Sequence, residues 1–302
     1  VENVGCCIAV QNEAIAPADG VLYAIRDVTD TIDSVPLITA SIISKKAAEG
    51  LSALVLDVKT GRAAFMQTQE QARELAASMV QTAEGLGIQT VAQLTAMDQP
   101  IGTHIGNALE VIESVRVLQG EGSPDTRELV VLQGAALLAM TGVSADRDEG
   151  RRRMEAVLNN GSALDRFRDM CIQQGVEEET AQLLVRNPER VVGTAPHQTT
   201  VLAEREGYVI DHDAMAMAQL ARQHGAGRFN LEDVIDPLVG MVIETTTGSF
   251  VKKNEPILTF FHTQPLDEDD LVVLKSIATV GPKPPPVQHR LLEVIDLTST
   301  KA

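Results

Sequence analysis

Residues 53 to 96 constrain the fold of this chain most. The apolar run Ala53-Leu54-Val55-Leu56 leads into Asp57-Val58-Lys59-Thr60-Gly61. A short apolar run closed by a glycine turn is the pattern of a strand buried on both faces of a parallel sheet. An amphipathic helix pattern follows from Gln67 to Leu86, and a second strand pattern from Ile88 to Ala96. Strand, helix and strand at this spacing form a βαβ unit, which places the chain in the α/β class. Parallel sheets present ligands at the carboxyl ends of their strands, so the turn after Asp57 is a candidate ligand edge. The run Asp57-Val58-Lys59-Thr60-Gly61-Arg62 lacks the spacing of a Walker loop.

The flanking segments read as follows. Gly5 to Val10 is an apolar stretch expected to form a buried strand, with Cys6 and Cys7 inside it. Pro17 and Asp19 open a helix carrying Tyr23 and Arg26, and a second helix is expected from Ser34 to Glu49. In that second helix Ser34 suits the N-cap, Pro36 the first turn and Gly50 the C′ position. Ile101 to His104 reads as a loop and Asn107 to Leu118 as a helix. Asp125 to Arg186 is helix-rich, bounded or broken at Gly122, Gly142, Gly161 and Gly175. After Pro188 short strand patterns appear at Thr200–Ala203, Tyr208–Asp211, Leu238–Thr245 and Pro256–Phe261, around one helix at Ala214–His224. That is an α+β arrangement, followed by a stiff proline-rich stretch from Pro282 to Pro286.

The formal charge of −17 over 302 residues argues against nucleic acid or an anionic membrane as partner, since both want a basic face. Cations must then be gathered locally, and Arg26, Lys45 and Lys46 are one such group. Cys171 stands alone, and no Cys or Cys/His spacing suits a metal. This cysteine usage fits a reducing, cytoplasmic compartment. No stretch has the length of a membrane span and no signal peptide is seen. The six histidines are scattered, and each reads as a surface or structural residue. The chain starts at Val1 and almost at once enters a strand pattern, which reads as a processed or partial chain.

One stripe on the 34–49 helix carries chemistry. Ile38, Ser41, Ile42 and Lys45 stand at i, i+3, i+4 and i+7. A core stripe would be apolar throughout. This one sets a hydroxyl and an ammonium between apolar walls, as a small polar ligand site does. The alternative is a boundary face whose lysine stem runs out to water.

These residues resemble the thymidine phosphorylase and pyrimidine nucleoside phosphorylase family, most closely its animal members. The resemblance runs through Val4-Gly5-Cys6-Cys7-Ile8, Arg26-Asp27-Val28-Thr29, the Ser41-to-Lys45 helix and Leu51 to Lys59. It continues through Gln69-Glu70-Gln71-Ala72-Arg73-Glu74-Leu75-Ala76, Leu94-Thr95-Ala96-Met97-Asp98 and Gly106-Asn107-Ala108-Leu109-Glu110-Val111. It thins after Leu118 but persists to the C-terminal domain. The resemblance implies a large α/β domain with part of a small helical domain, plus a C-terminal α+β domain. It divides the chain into 1–16 (start of the α/β domain), 17–50 (helical-domain segment), 51–190 (α/β continued, helix-rich) and 191–302 (C-terminal).

The resemblance further implies an enzyme, a pentosyltransferase that splits a pyrimidine nucleoside with inorganic phosphate. Thymidine and phosphate would give thymine and 2-deoxyribose 1-phosphate, with no organic cofactor and in a homodimer. By position, Arg26, Ser41 and Lys45 would read the base, with Arg26 and Lys45 catalytic. Tyr23, Ile38, Ile42 and Phe65 would line its apolar walls. Bacterial members hold a monovalent cation, and the carbonyls of Ile101 and His104 with the Glu113 carboxylate match its ligands, although Glu113 by itself reads as a solvated helix residue. The family's glycine-rich phosphate loop would lie upstream of Val1, which implies a partial chain, inactive alone. Two other readings remain open: a phosphoribosyltransferase of similar fold, and a binding or signalling protein that keeps the fold without turnover.

Overall fold

The computed structural model describes residues 1–9, 15–22, 34–230 and 232–299. Its described part forms two compact units. One comprises Cys7–Ala96, Leu129–Glu155 and His289–Ala302, and the other Val1–Cys6, Met97–Glu128 and Ala156–Gln288.

The first unit is built on the βαβ element. Helix α1 (Val35–Ala48) precedes strand β1 (Ala53–Thr60), helix α2 (Gln69–Gly85) and strand β2 (Gln89–Ala96). β1 and β2 run parallel, in register from Ala53 opposite Gln89 to Thr60 opposite Ala96. Strand Leu291–Ile295 closes the far side of β2, antiparallel, with a bulge between Leu291 and Glu293. β2 is thus the central strand, and all of it after Gln89 is buried.

α2 starts at a capping box. Thr68 accepts from the Gln71 N–H while the Gln71 side chain accepts from the Thr68 N–H, so two orphan donors are satisfied. Its buried residues Ala72, Leu75, Ala76, Met79, Val80 and Ala83 repeat at helical spacing and form one stripe on the core. α1 starts after Ser34 with Pro36 in its first turn and ends at Glu49, with Gly50 at positive φ beyond it. The Ser34 side chain makes no capping bond. Ile43 of α1 is buried in the same core, and Thr39 hydrogen-bonds Ser78 of α2 at 2.9 Å.

In the second unit a four-stranded antiparallel sheet runs in the order β3 (His104–Ile105), Gly240–Ile243, Pro256–His262 and His197–Leu202. A three-stranded sheet runs Phe250–Val251, Gly207–His212 and Ala278–Gly281. Helices Ala214–Ala221 and Glu268–Ser276 belong to the same unit. Met217, Leu220, Met241, Leu258, Phe260, Leu274 and Ile277 make its core. β3 docks because two glycines let backbones touch. A Cβ on Gly240 would stand 2.1 Å from the Ile105 carbonyl oxygen, and one on Gly106 2.4 Å from that of Val239. Helix α3 (Asn107–Leu118) follows directly.

The N-terminal expectation is corrected. Residues 5–9 form no strand, and Cys6 and Cys7 are exposed rather than buried. An apolar run becomes a strand only when a neighbour takes up its backbone hydrogen bonds, and neither described unit sets a strand beside this one. Only Val4 is buried there. Among the described residues no helix is long and apolar enough to cross a membrane.

Candidate functional site

The α1 stripe lies in the first unit. Ser41 is buried; Ile38 and Ile42 are half-buried and pack against the core. Lys45 is one helical turn beyond Ser41, on the same face. Its ammonium lies 3.0 Å from the carboxylate of Asp19, a residue only 9% exposed. An ion pair this shielded keeps the ammonium at one place, because withdrawing it takes a charge partner from a buried carboxylate. Asp19 went unnoticed as a site residue in the sequence, where it reads as a helix-opening aspartate. Tyr23 and Arg26 lie outside the described residues. Phe65 is 58% exposed. It sits on the turn after β1, which is closed by the Gly61 N–H donating to the Met66 carbonyl and the Ala64 N–H to the Gly61 carbonyl.

The carboxyl half of the parallel sheet is polar on one face. Asp57 accepts from Thr95 Oγ1 at 2.5 Å, from Gln133 Nε2 at 2.8 Å and from Lys59 Nζ at 2.5 Å. Asp57 and Lys59 are two residues apart on β1, so both side chains leave the same face. Beside them Gln93 is buried, and its Oε1 has no hydrogen-bond partner among the described residues. The strand's i, i+2 alternation was the available signal for this layer.

Ile101, His104 and Glu113 belong to the second unit and line one cavity of about 320 Å³. Glu113 is not the solvated residue expected from the sequence: it is 6% exposed. Its position on α3 turns it toward the 101–104 loop rather than to water. Glu113 Oε1 accepts from the Thr103 backbone N–H at 2.8 Å and from the Thr103 hydroxyl at 3.0 Å. Its Oε2 lies so close over the loop that a Cβ on Gly102 would be 2.1 Å away. Gly102 has φ +74°, and its N–H donates to Asp125 at 3.1 Å.

His104 makes two hydrogen bonds, Nδ1 with Thr103 Oγ1 at 2.9 Å and Nε2 with Arg116 Nη1 at 3.2 Å. Arg116 also donates to Glu189 at 2.6 Å. Burial holds the His104 imidazole below the ordinary histidine pKa, against the opposing pull of Glu113. Among the described residues no group of three or more His, Cys, Asp or Glu side chains could hold a metal ion. A cation here would therefore rest on one carboxylate oxygen and backbone carbonyls, a donor set for a hard, weakly held ion.

Comparison with known proteins gives two family matches. The family described as "Glycosyl transferase family, a/b domain" matches residues 1–164, and the "Pyrimidine nucleoside phosphorylase C-terminal domain" matches residues 208–278. The chain is 46% identical over 262 residues to thymidine phosphorylase of Rattus norvegicus, covering 85% of this chain and 55% of that one. It is 42% identical over 269 residues to the thymidine phosphorylase of Homo sapiens, covering 88% and 56%. To pyrimidine-nucleoside phosphorylase of Bacillus subtilis (strain 168) it is 40% identical over 284 residues, covering 93% and 64%. It thus spans between about half and two thirds of the length of these relatives. With the first match taking in more than half of its 302 residues, the chain belongs to this glycosyl transferase family, beside the thymidine and pyrimidine-nucleoside phosphorylases.

Proposed function

We propose that the full-length protein catalyses phosphorolysis of pyrimidine nucleosides, converting thymidine and phosphate to thymine and 2-deoxyribose 1-phosphate. The observation that carries this reading is the α1 stripe, with its buried hydroxyl of Ser41 and the Lys45 ammonium held by Asp19 between half-buried isoleucines. The names of the relatives supply the substrate class. They do not favour a phosphoribosyltransferase or a non-catalytic binding protein.

The chemistry suits these residue types. A phosphate oxygen bonds to the anomeric carbon as the bond from that carbon to the ring nitrogen breaks. The electron pair leaves with the pyrimidine and spreads over its carbonyl oxygens. Cationic donors aimed at those oxygens bind the transition state more tightly than the ground state. In this reading Lys45 and Arg26 are those donors. Ser41 bonds the imide edge, and Tyr23, Ile38, Ile42 and Phe65 form the apolar walls. No protein nucleophile and no organic cofactor are required.

The reading extends to a monovalent cation on Glu113 and the carbonyls of Ile101 and His104. Its support is the buried carboxylate with one oxygen turned to the loop. A homodimer, a cytoplasmic location and the sequence-based domain division stay with the family resemblance.

Base choice tests the substrate class. Cytosine presents a lone pair and an amino group where uracil and thymine present an N–H and a carbonyl. A site built on hydrogen bonds rejects such a mismatch by about 10⁴ or more. Phosphate-dependent release of base should therefore be at least about 10⁴-fold faster from thymidine than from cytidine. Comparable rates for the two would refute the reading.

A further inference from the structure

The hydrogen bonds behind Glu113 have a direction that follows from the donors alone. A guanidinium only donates, so the His104 Nε2 that faces Arg116 accepts. The single proton of the neutral ring then lies on Nδ1 and is donated to Thr103 Oγ1. That hydroxyl, already accepting from the ring, gives its own proton to Glu113 Oε1. The Thr103 backbone N–H donates to the same oxygen. Both donors converge on Oε1. Among the described residues Oε2 has no hydrogen-bond partner.

The charges are arranged to match. Arg116 is paired with Glu189 at 2.6 Å and reaches Glu113 only through two neutral side chains. An arginine bonded directly to Glu113 would cancel the charge that a cation needs. This arrangement orients the carboxylate and leaves its charge in place.

We propose that Arg116, acting through His104 and Thr103, is a positioning residue that fixes the Glu113 carboxylate with Oε2 open to a monovalent cation. This rests on the cation reading given above. It adds Arg116 and Thr103, which bind no ion themselves and which the sequence reading did not single out.

The test is thermal unfolding of the whole protein in rising KCl, with choline chloride holding ionic strength constant. A cation that binds only the folded state raises Tm with a concentration dependence set by its Kd. Wild type should show a saturable rise with potassium, and Glu113→Gln should show none. Arg116→Leu and Thr103→Val should each raise the half-saturating potassium concentration at least fivefold, beyond any change in Tm without potassium. Arg116→Lys, which keeps a donor for His104, should recover most of the affinity. If wild type responds and Glu113→Gln does not, yet Arg116→Leu or Thr103→Val keeps wild-type affinity, the positioning role is wrong. If wild type gives no potassium response, the cation reading beneath it is wrong. Should Arg116→Leu fail to unfold cooperatively, Thr103→Val carries the test alone.

Discussion

His212 sets a pH limit on stability that can be worked through. It ends the strand Gly207–His212 with only 1% of its surface exposed. Its Nδ1 bonds Thr247 Oγ1 at 3.0 Å, while Nε2 is buried and has no partner among the described residues. Burial lowers its pKa from 6.5 to about 4, and Asp211 offsets only part of this. The folded pKa is thus below the unfolded one, so the unfolded chain takes up the proton first. Stability from this residue is full above about pH 6.5 and falls progressively as pH drops toward 4. At pH 5 the loss is about 2 kcal/mol, and below pH 4 it approaches about 3 kcal/mol, on the order expected for a pKa lowered from 6.5 to about 4. The chain has no Trp, so urea unfolding is best followed by far-UV circular dichroism. Between pH 7 and pH 5 wild type should lose about 2 kcal/mol more than His212→Leu, whose side chain binds no proton. Equal losses in the two proteins would show that His212 is not held neutral by burial.

Two further changes probe the fold. Thr68→Ala removes the hydroxyl half of the α2 capping box and should cost about 1 kcal/mol in urea unfolding, with an unchanged m-value; no loss would show that the cap is not used. Gly240→Ala drives a methyl group toward the Ile105 carbonyl oxygen, 2.1 Å from the new Cβ. The backbone there must move, so a loss of about 2 kcal/mol or more and weakened amide protection at Ile105 are expected by hydrogen exchange.

Local patterns in the sequence are recovered where a single element determines them. The βαβ unit was legible because apolar runs of strand length flank an alanine-rich helical stripe, and the structure has β1, α2 and β2 there. The limits of α1 followed from Ser34, Pro36 and Gly50. The breaks at Gly142, Gly161 and Gly175 are positions of positive φ. What the sequence hid depends on partners distant in the chain. Cys6 and Cys7 look like core residues until the missing strand neighbour is seen. Strand Leu291–Ile295 gives no hint that it pairs with β2, some 200 residues earlier. Helix Glu268–Ser276 was overlooked, since Leu271-Val272-Val273-Leu274 has no clear period, although Asp267 and Asp270 form a capping box.

The candidate site divides in the same way. Ser41 and Lys45 announce themselves by spacing on one helix. The partner of Lys45 is Asp19, 26 positions away on a separate segment, and no local rule links the two. Glu113 looked solvated because α3 alone does not reveal the loop that folds over its carboxylate. Thr103 and Arg116 look like ordinary polar residues until His104 is seen between them.

The most direct measurement of the central claim is phosphate-dependent release of thymine from thymidine by the native protein and its Lys45→Ala variant. A charge-assisted hydrogen bond to the leaving base is worth about 1.5–3 kcal/mol, so turnover should fall about tenfold to a hundredfold or more. Urea unfolding measures the loss of the Lys45–Asp19 ion pair separately, so turnover is compared under conditions where both proteins are folded. A variant that is as well folded and as active as wild type would contradict the assignment of this helix to base recognition.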